Sequence, residues 1–205
     1  RRHIRLIEAS AFMDLTLPLV GYRVSGIHRD LHGQVVCPNR VVAKVSRVEV
    51  ARKFFGPPPG NLVQALVESG QITVEQAALA RQVSMADDVT AEADSGGHTD
   101  NRPAVALIPT MLALRDELQA EHRFAWPVRV GAAGGVATPA SAAAMFAMGA
   151  AYIMTGSINQ ACVEAGTSSS VREMLAQAGQ ADVVMAPAAD MFEMGVKVQV
   201  LKWGT

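Results

Sequence analysis

Short apolar runs alternate along the chain with longer amphipathic stretches. The pattern predicts strand followed by helix, repeated. Ile4 to Ala9 is the first apolar run. Tyr22 to Val36 reads as a β-hairpin: Tyr-Arg-Val-Ser-Gly-Ile alternates, Asp30-Leu-His-Gly33 can turn, and Gln-Val-Val returns. A plain strand–helix repeat does not need this hairpin, so it is read as an insertion. Val41 to Val45 is the next strand. Ser46 and Glu49 then have the spacing of a capping box, in which each side chain satisfies a backbone N–H at a helix start. Gly56-Pro-Pro-Pro-Gly60 ends that helix. Asn61 to Glu68 and Val74 to Val83 predict two more helices, the second capped by Thr73 with Gln76. Val89 to Ala93, Val128 to Ala132 and Tyr152 to Thr155 predict strands. Ala104 to Ala120 and Ser168 to Ala178 predict helices, as does a run opened by Thr138-Pro139 and closed near Met148-Gly149. Val183 to Ala186 and Val196 to Leu201 are apolar but show no evident pairing partner.

Strand–helix alternation with short loops implies an α/β fold, a parallel sheet covered by helices. A doubly wound sheet and a TIM (β/α)₈ barrel both satisfy it. About five strands of the repeat are visible, and a closed barrel needs eight. As a barrel, the chain is the C-terminal part of one, with a β-hairpin insertion at about residues 22–36. Residues 1–205 then form a single, incomplete domain whose early strands lie upstream of Arg1.

Composition narrows the class. The chain has 205 residues, 50% hydrophobic and 18% charged, enough for one sizeable core. The formal net charge of −1 and the absence of a basic run argue against a nucleic-acid partner. The two cysteines, Cys37 and Cys162, share no metal-type spacing, which fits a reduced, cytoplasmic protein without a structural metal. No apolar stretch reaches transmembrane length, so no membrane association is expected.

The chemistry concentrates where strands end in glycines. Ser95-Gly96-Gly97-His98 follows the strand at Val89. Two glycines let the backbone approach a flat or anionic ligand, and His98 brings a side chain able to move a proton near neutral pH. A barrel has its active site at such junctions. The plainer reading of this segment alone is a tight turn with a solvated histidine. Gly134-Gly135, after Ala133, and Gly156-Ser157 close two successive strands. Their backbone N–H groups, with the helix opening at Thr138, make a concave anion site of the kind that holds phosphate. Lys44 lies inside an apolar strand, either as a structural cation that snorkels to the strand end or as a ligand contact. Glu8, Glu92 and Asp94 end strands and are candidates to orient a cofactor or His98, although solvated strand-end carboxylates are common. His3, His28, His32 and His122 have no ligand spacing. Asp190 and Glu193 sit at a loop-to-helix start without an assignable role. A Rossmann glycine motif, a Walker loop, a His-Glu-x-x-His and a serine elbow are all absent.

Ser95-Gly-Gly-His98, Gly131-Ala-Ala-Gly-Gly-Val136 and Met154-Thr-Gly-Ser157 resemble the loops of the FMN-dependent nitronate monooxygenase and enoyl reductase superfamily, a TIM barrel. The longer stretches Ala91 to Pro103, Gly156 to Thr167 and Ala186 to Lys197 resemble the PfaD-type enoyl reductases, which act in trans on polyunsaturated fatty acid and polyketide synthases. The resemblance implies FMN, with NADPH as reductant and an α,β-unsaturated thioester on an acyl carrier protein as substrate. It also implies roles. Ala133, Gly134, Gly135, Gly156 and Ser157 would hold the FMN phosphate, with Gly96 and Gly97 beside the flavin ring. Lys44 would touch flavin or thioester. His98 would be catalytic, either stabilising the enolate or supplying the proton to the α-carbon, with Ser95 and Asp100 against the substrate. A homodimer is compatible with it. The rivals are a nitronate monooxygenase and a non-catalytic barrel that only docks carrier protein.

Overall fold

The structure, a computed structural model, describes residues 4–10 and 14–203. They fall into two compact units. The first comprises the described residues up to Ala91 together with Pro109–Gly131. The second comprises Glu92–Ile108 and the described residues from Ala132 onward.

The first unit is built on β1 (Leu6–Ser10), α1 (Leu17–Val24), β2 (His28–Arg29), β3 (Val35–Val36), β4 (Arg40–Val45), α2 (Val48–Phe55), α3 (Gly60–Glu68) and α4 (Val74–Ala80). β5 (Asp88–Glu92), α5 (Ala104–His122) and β7 (Arg129–Ala133) have residues in both units. The second unit adds β6 (Gly97–His98), α6 (Pro139–Ala147), β8 (Ile153–Met154), α7 (Ser157–Gln160), α8 (Ser169–Gln177), β9 (Val183–Pro187) and β10 (Lys197–Leu201).

Five strands form one sheet in the order β1-β4-β5-β7-β8. β1 runs parallel to β4, β4 to β5, and β7 to β8, each pair joined through helix, as the alternation implies. β4 buries Val41, Ala43 and Val45 on one face, while β5 buries Asp88, Val89, Thr90 and Ala91 in succession. Burial on both faces is what a central parallel strand requires. Around them α2 buries Val50, Ala51, Phe54 and Phe55, and α5 buries Met111, Leu114 and Leu118 at helical spacing.

Three expectations change. The predicted hairpin is shorter: only His28–Arg29 and Val35–Val36 pair. Tyr22 to Val24 end helix α1, where Val20, Arg23 and Val24 share a buried face at helical spacing and override the local alternation. The box expected at Ser46 does not form, since α2 starts at Val48 with Arg47 as an uncapped N-cap; Ser46 is itself buried. The apolar runs without a partner find each other: β9 and β10 pair antiparallel, and β10 also pairs with β6. The boxes at Thr73 and Thr138 form, the latter with Ser141. Gly149 takes φ +102° after α6, as a left-handed helix end requires.

Candidate active site

The glycine loops come together in the second unit. Backbone pairing starts the process. Ala133 on β7 stands opposite Met154 on β8, so Gly134-Gly135 and Gly156-Ser157 leave adjacent strand ends. The Ala93 N–H donates to the Ala133 carbonyl at 2.8 Å, which carries the Asp94–His98 segment alongside. Gly134 has φ +88°, and a Cβ there would lie 2.5 Å from the Ala93 carbonyl oxygen. Only glycine lets these backbones approach so closely. At Gly96 a Cβ would lie 2.8 Å from Ser157 Oγ, so that loop too is in contact with its neighbour.

The opposite condition holds at Gly97, Gly135 and Gly156. A Cβ at any of the three meets nothing within 4 Å. Gly97 and Gly135 also take φ +85° and +69°. These three glycines border open space, and two of them have a backbone conformation that side chains rarely adopt. Backbone lined by glycine around an open volume suits a phosphate and a flat ring, so the residues present fit FMN. The helix behind Gly134-Gly135 is well formed: Thr138 Oγ1 accepts from the Ser141 N–H at 3.1 Å, and Ser141 Oγ accepts from the Thr138 N–H at 3.0 Å.

His98 is held from two sides. It lies on β6 opposite Val198 of β10, and the next N–H, of Thr99, donates to the Lys197 carbonyl at 3.3 Å. Its Nε2 lies 3.0 Å from Asp190 Oδ1. A carboxylate only accepts, so Nε2 carries the proton and, in the neutral ring, Nδ1 is the acceptor. The same hydrogen bond pulls the Asp190 carboxyl below its ordinary value. Asp190 was the carboxylate without a role in the sequence, 92 positions from His98. No local signal links them; β10 and the turn before it do.

Other candidates divide. Asp94 does not orient His98; its oxygens accept from Gln199 Nε2 at 3.2 and 3.3 Å, which ties the loop to β10. Ser95 Oγ points to Glu92 at 3.5 Å, a weak interaction, and Asp100 is half-buried in the same segment. Lys44 belongs to the first unit, in register with Thr90, with Nζ 3.8 Å from Glu8 Oε1. That contact is compatible with a structural cation. His28 and His32 are exposed, and His3 lies outside the described residues. Among the described residues no three His, Cys, Asp or Glu side chains form a metal site, and no helix is long and apolar enough to cross a membrane.

Comparison with known proteins bears on the family. No protein-family model matches the chain. Polyketide biosynthesis protein PksE of Bacillus subtilis is 50% identical over 204 residues, covering 100% of this chain and 27% of PksE. A polyunsaturated fatty acid synthase polypeptide of a Thraustochytrium species is 52% identical, covering 98% of the chain and 14% of that polypeptide. The crystal structure of the enoyl reductase domain of MlnA, from the macrolactin cluster of Bacillus amyloliquefaciens, superposes with a TM-score of 0.93 at 46% identity. It covers 98% of this chain and 45% of that one. The chain is homologous to these polyketide and polyunsaturated fatty acid synthase proteins. It spans less than half the length of each of these relatives. FabK of Thermotoga maritima, with a TM-score of 0.57 at 22% identity, shares the fold, and the five parallel strands are a segment of a TIM (β/α)₈ barrel.

Proposed function

We propose that this chain carries the flavin-loop segment of an FMN-dependent enoyl reductase, which reduces α,β-unsaturated acyl-carrier-protein thioesters in polyketide or polyunsaturated fatty acid biosynthesis. NADPH is the proposed reductant. The observation that carries the reading is the close approach of three glycine loops, one of which carries a carboxylate-held histidine, in a chain 46% identical to an enoyl reductase domain.

The backbone N–H groups at Gly134, Gly135, Gly156 and Ser157 would hold the FMN phosphate, with Ala133 fixing the strand end behind them. Gly96 and Gly97 would lie along the ring. The chemistry supplied by bound FMN is hydride transfer to the β-carbon of the enoyl thioester. The α-carbon then needs a proton, so that one hydride and one proton add across the double bond. His98 as imidazolium holds that proton on Nδ1, with Nε2–H fixed on Asp190. A positioned acid of this kind contributes roughly 10²–10⁴-fold in rate. Ser95 and Asp100, in the same segment, would contact the thioester.

The test is anaerobic stopped-flow on the full-length protein. NADPH should bleach the flavin band, and a crotonyl-carrier thioester should restore it. Restoration only by oxygen would assign a nitronate monooxygenase-type oxidase instead, and absence of a flavin band would leave a carrier-docking barrel.

A further inference from the structure

The first unit contains a cleft that the proposed chemistry does not use. It has a volume of about 860 Å³ and lines the N-terminal ends of β4, β5 and β7. The glycine loops follow the C-terminal ends of β5, β7 and β8. The cleft is built on the three inner strands of the sheet, not on its edges β1 and β8.

Its lining is cationic. Arg23, Arg29, Arg40, Arg81, Arg123 and Arg129 border it, six of the 18 lysines and arginines of a chain whose net charge is −1. Two carboxylates answer them. Asp87 takes Arg23 at 2.6 Å, and Asp88 takes Arg129 at 2.6 and 2.8 Å and Arg40 at 3.5 Å. Arg29 is braced by the Gly33 carbonyl at 2.6 Å and Gln82 Oε1 at 3.1 Å. Arg81 and Arg123 are exposed and make no ion pair among the described residues. Arg123 also takes φ +52°, a left-handed conformation that arginine rarely adopts, directly after α5.

Folding has therefore gathered six guanidinium groups around two carboxylates, an excess of positive charge that a bound anion would offset. The guanidinium fork matches phosphate oxygens two at a time. The Trp126 ring borders the same cleft and is 76% exposed, leaving an aromatic face for stacking. The volume falls within the roughly 300–1,000 Å³ of small-molecule sites, whereas an acidic protein surface would ask for a flatter patch.

We propose that this cleft binds a phosphorylated ligand of the nucleotide class, its phosphates on Arg81 and Arg123 and its base against Trp126. The cleft shares no residue with the flavin loops.

The experiment titrates full-length protein with mant-ATP, followed by fluorescence anisotropy at low salt. Saturable binding is expected, displaced by inorganic triphosphate. The double variant Arg81→Gln/Arg123→Gln should weaken it by about tenfold or more, since two charge-assisted contacts to phosphate are lost. Trp126→Ala should weaken mant-ATP but spare triphosphate. Displacement by NADPH, together with a raised NADPH KM in the double variant, would make the reductant the natural source of the nucleotide; indifference to NADPH would indicate a free nucleotide. Absence of binding overturns the proposal, as does binding that the double variant leaves intact. So does a double variant that raises only the KM for the acidic carrier protein, which would make the cleft a docking surface.

Discussion

The arginine cleft and the glycine loops solve opposite problems. In the first unit, charge is buried and must be answered. Arg23 is 2% exposed, yet it reaches the Ser84 carbonyl at 3.1 Å, the Asn39 carbonyl at 2.7 Å and Asp87 at 2.6 Å. Asp87 also accepts from the Val41 N–H at 3.0 Å, which ties the guanidinium to the start of β4. Around this network sit fully buried apolar side chains, among them Val20, Val41, Phe55, Leu66 and Met85. In the second unit the functional groups are backbone, presented by glycines, and α7 and α8 contain no buried residue. One region is specified by side-chain packing and satisfied ions, the other by the absence of side chains. Mutations in the buried ion network should therefore act on stability, and those in the glycine loops on binding or turnover.

The largest effect on this contrast is expected at His98. His98→Ala in the full-length protein should retain the flavin spectrum and lower enoyl reduction roughly 10²–10⁴-fold. Unchanged turnover would remove His98 from the reaction. Next, Asp87→Ala strands the Arg23 guanidinium in a buried site and should cost about 3–5 kcal/mol of stability. Urea denaturation reads this directly, and a loss under 1 kcal/mol would show that water or another group satisfies the cation. Gly134→Ala should release flavin while keeping most of the secondary structure, because the new Cβ meets the Ala93 carbonyl at 2.5 Å. Retained flavin absorbance would mean the loop can shift, and the close approach would then not matter for binding.

The smallest effect is expected at Asp190, through pH. The His98 hydrogen bond lowers the Asp190 pKa, so the carboxylate acceptor is fully present above the ordinary carboxylate value and is lost only as pH falls through the lowered one. Asp190→Asn keeps an oxygen acceptor for the ring N–H but removes the titrating carboxylate. The wild-type kcat should hold as pH falls through the ordinary carboxylate range and drop only below it, and the variant should lack that acid-side step, with KM for the carrier thioester little changed. A profile that keeps its shape would make Asp190 a purely structural partner.

The strand–helix alternation, the glycine loops and His98 were legible in the chain, because apolar periodicity and glycine at strand ends are local signals. Helix starts were legible where the cap was self-contained, at Thr73 and Thr138. Ser46 was misread because tertiary packing buries it. Tyr22 to Val24 alternate like a strand yet are helical, since Val20, Arg23 and Val24 face a common core. Three features arise only in three dimensions. β10 brings Gln199 to Asp94 and supports His98 from about 100 positions away, so no window of sequence contains the pair. Asp190 becomes a partner of His98 through the same antiparallel strands. The six arginines, spread from Arg23 to Arg129 without forming a basic run, become one cationic cleft because parallel strands begin side by side. Local chemistry is written in neighbouring residues, whereas electrostatic fields and hydrogen-bond partners depend on distances through space, which only the folded backbone sets.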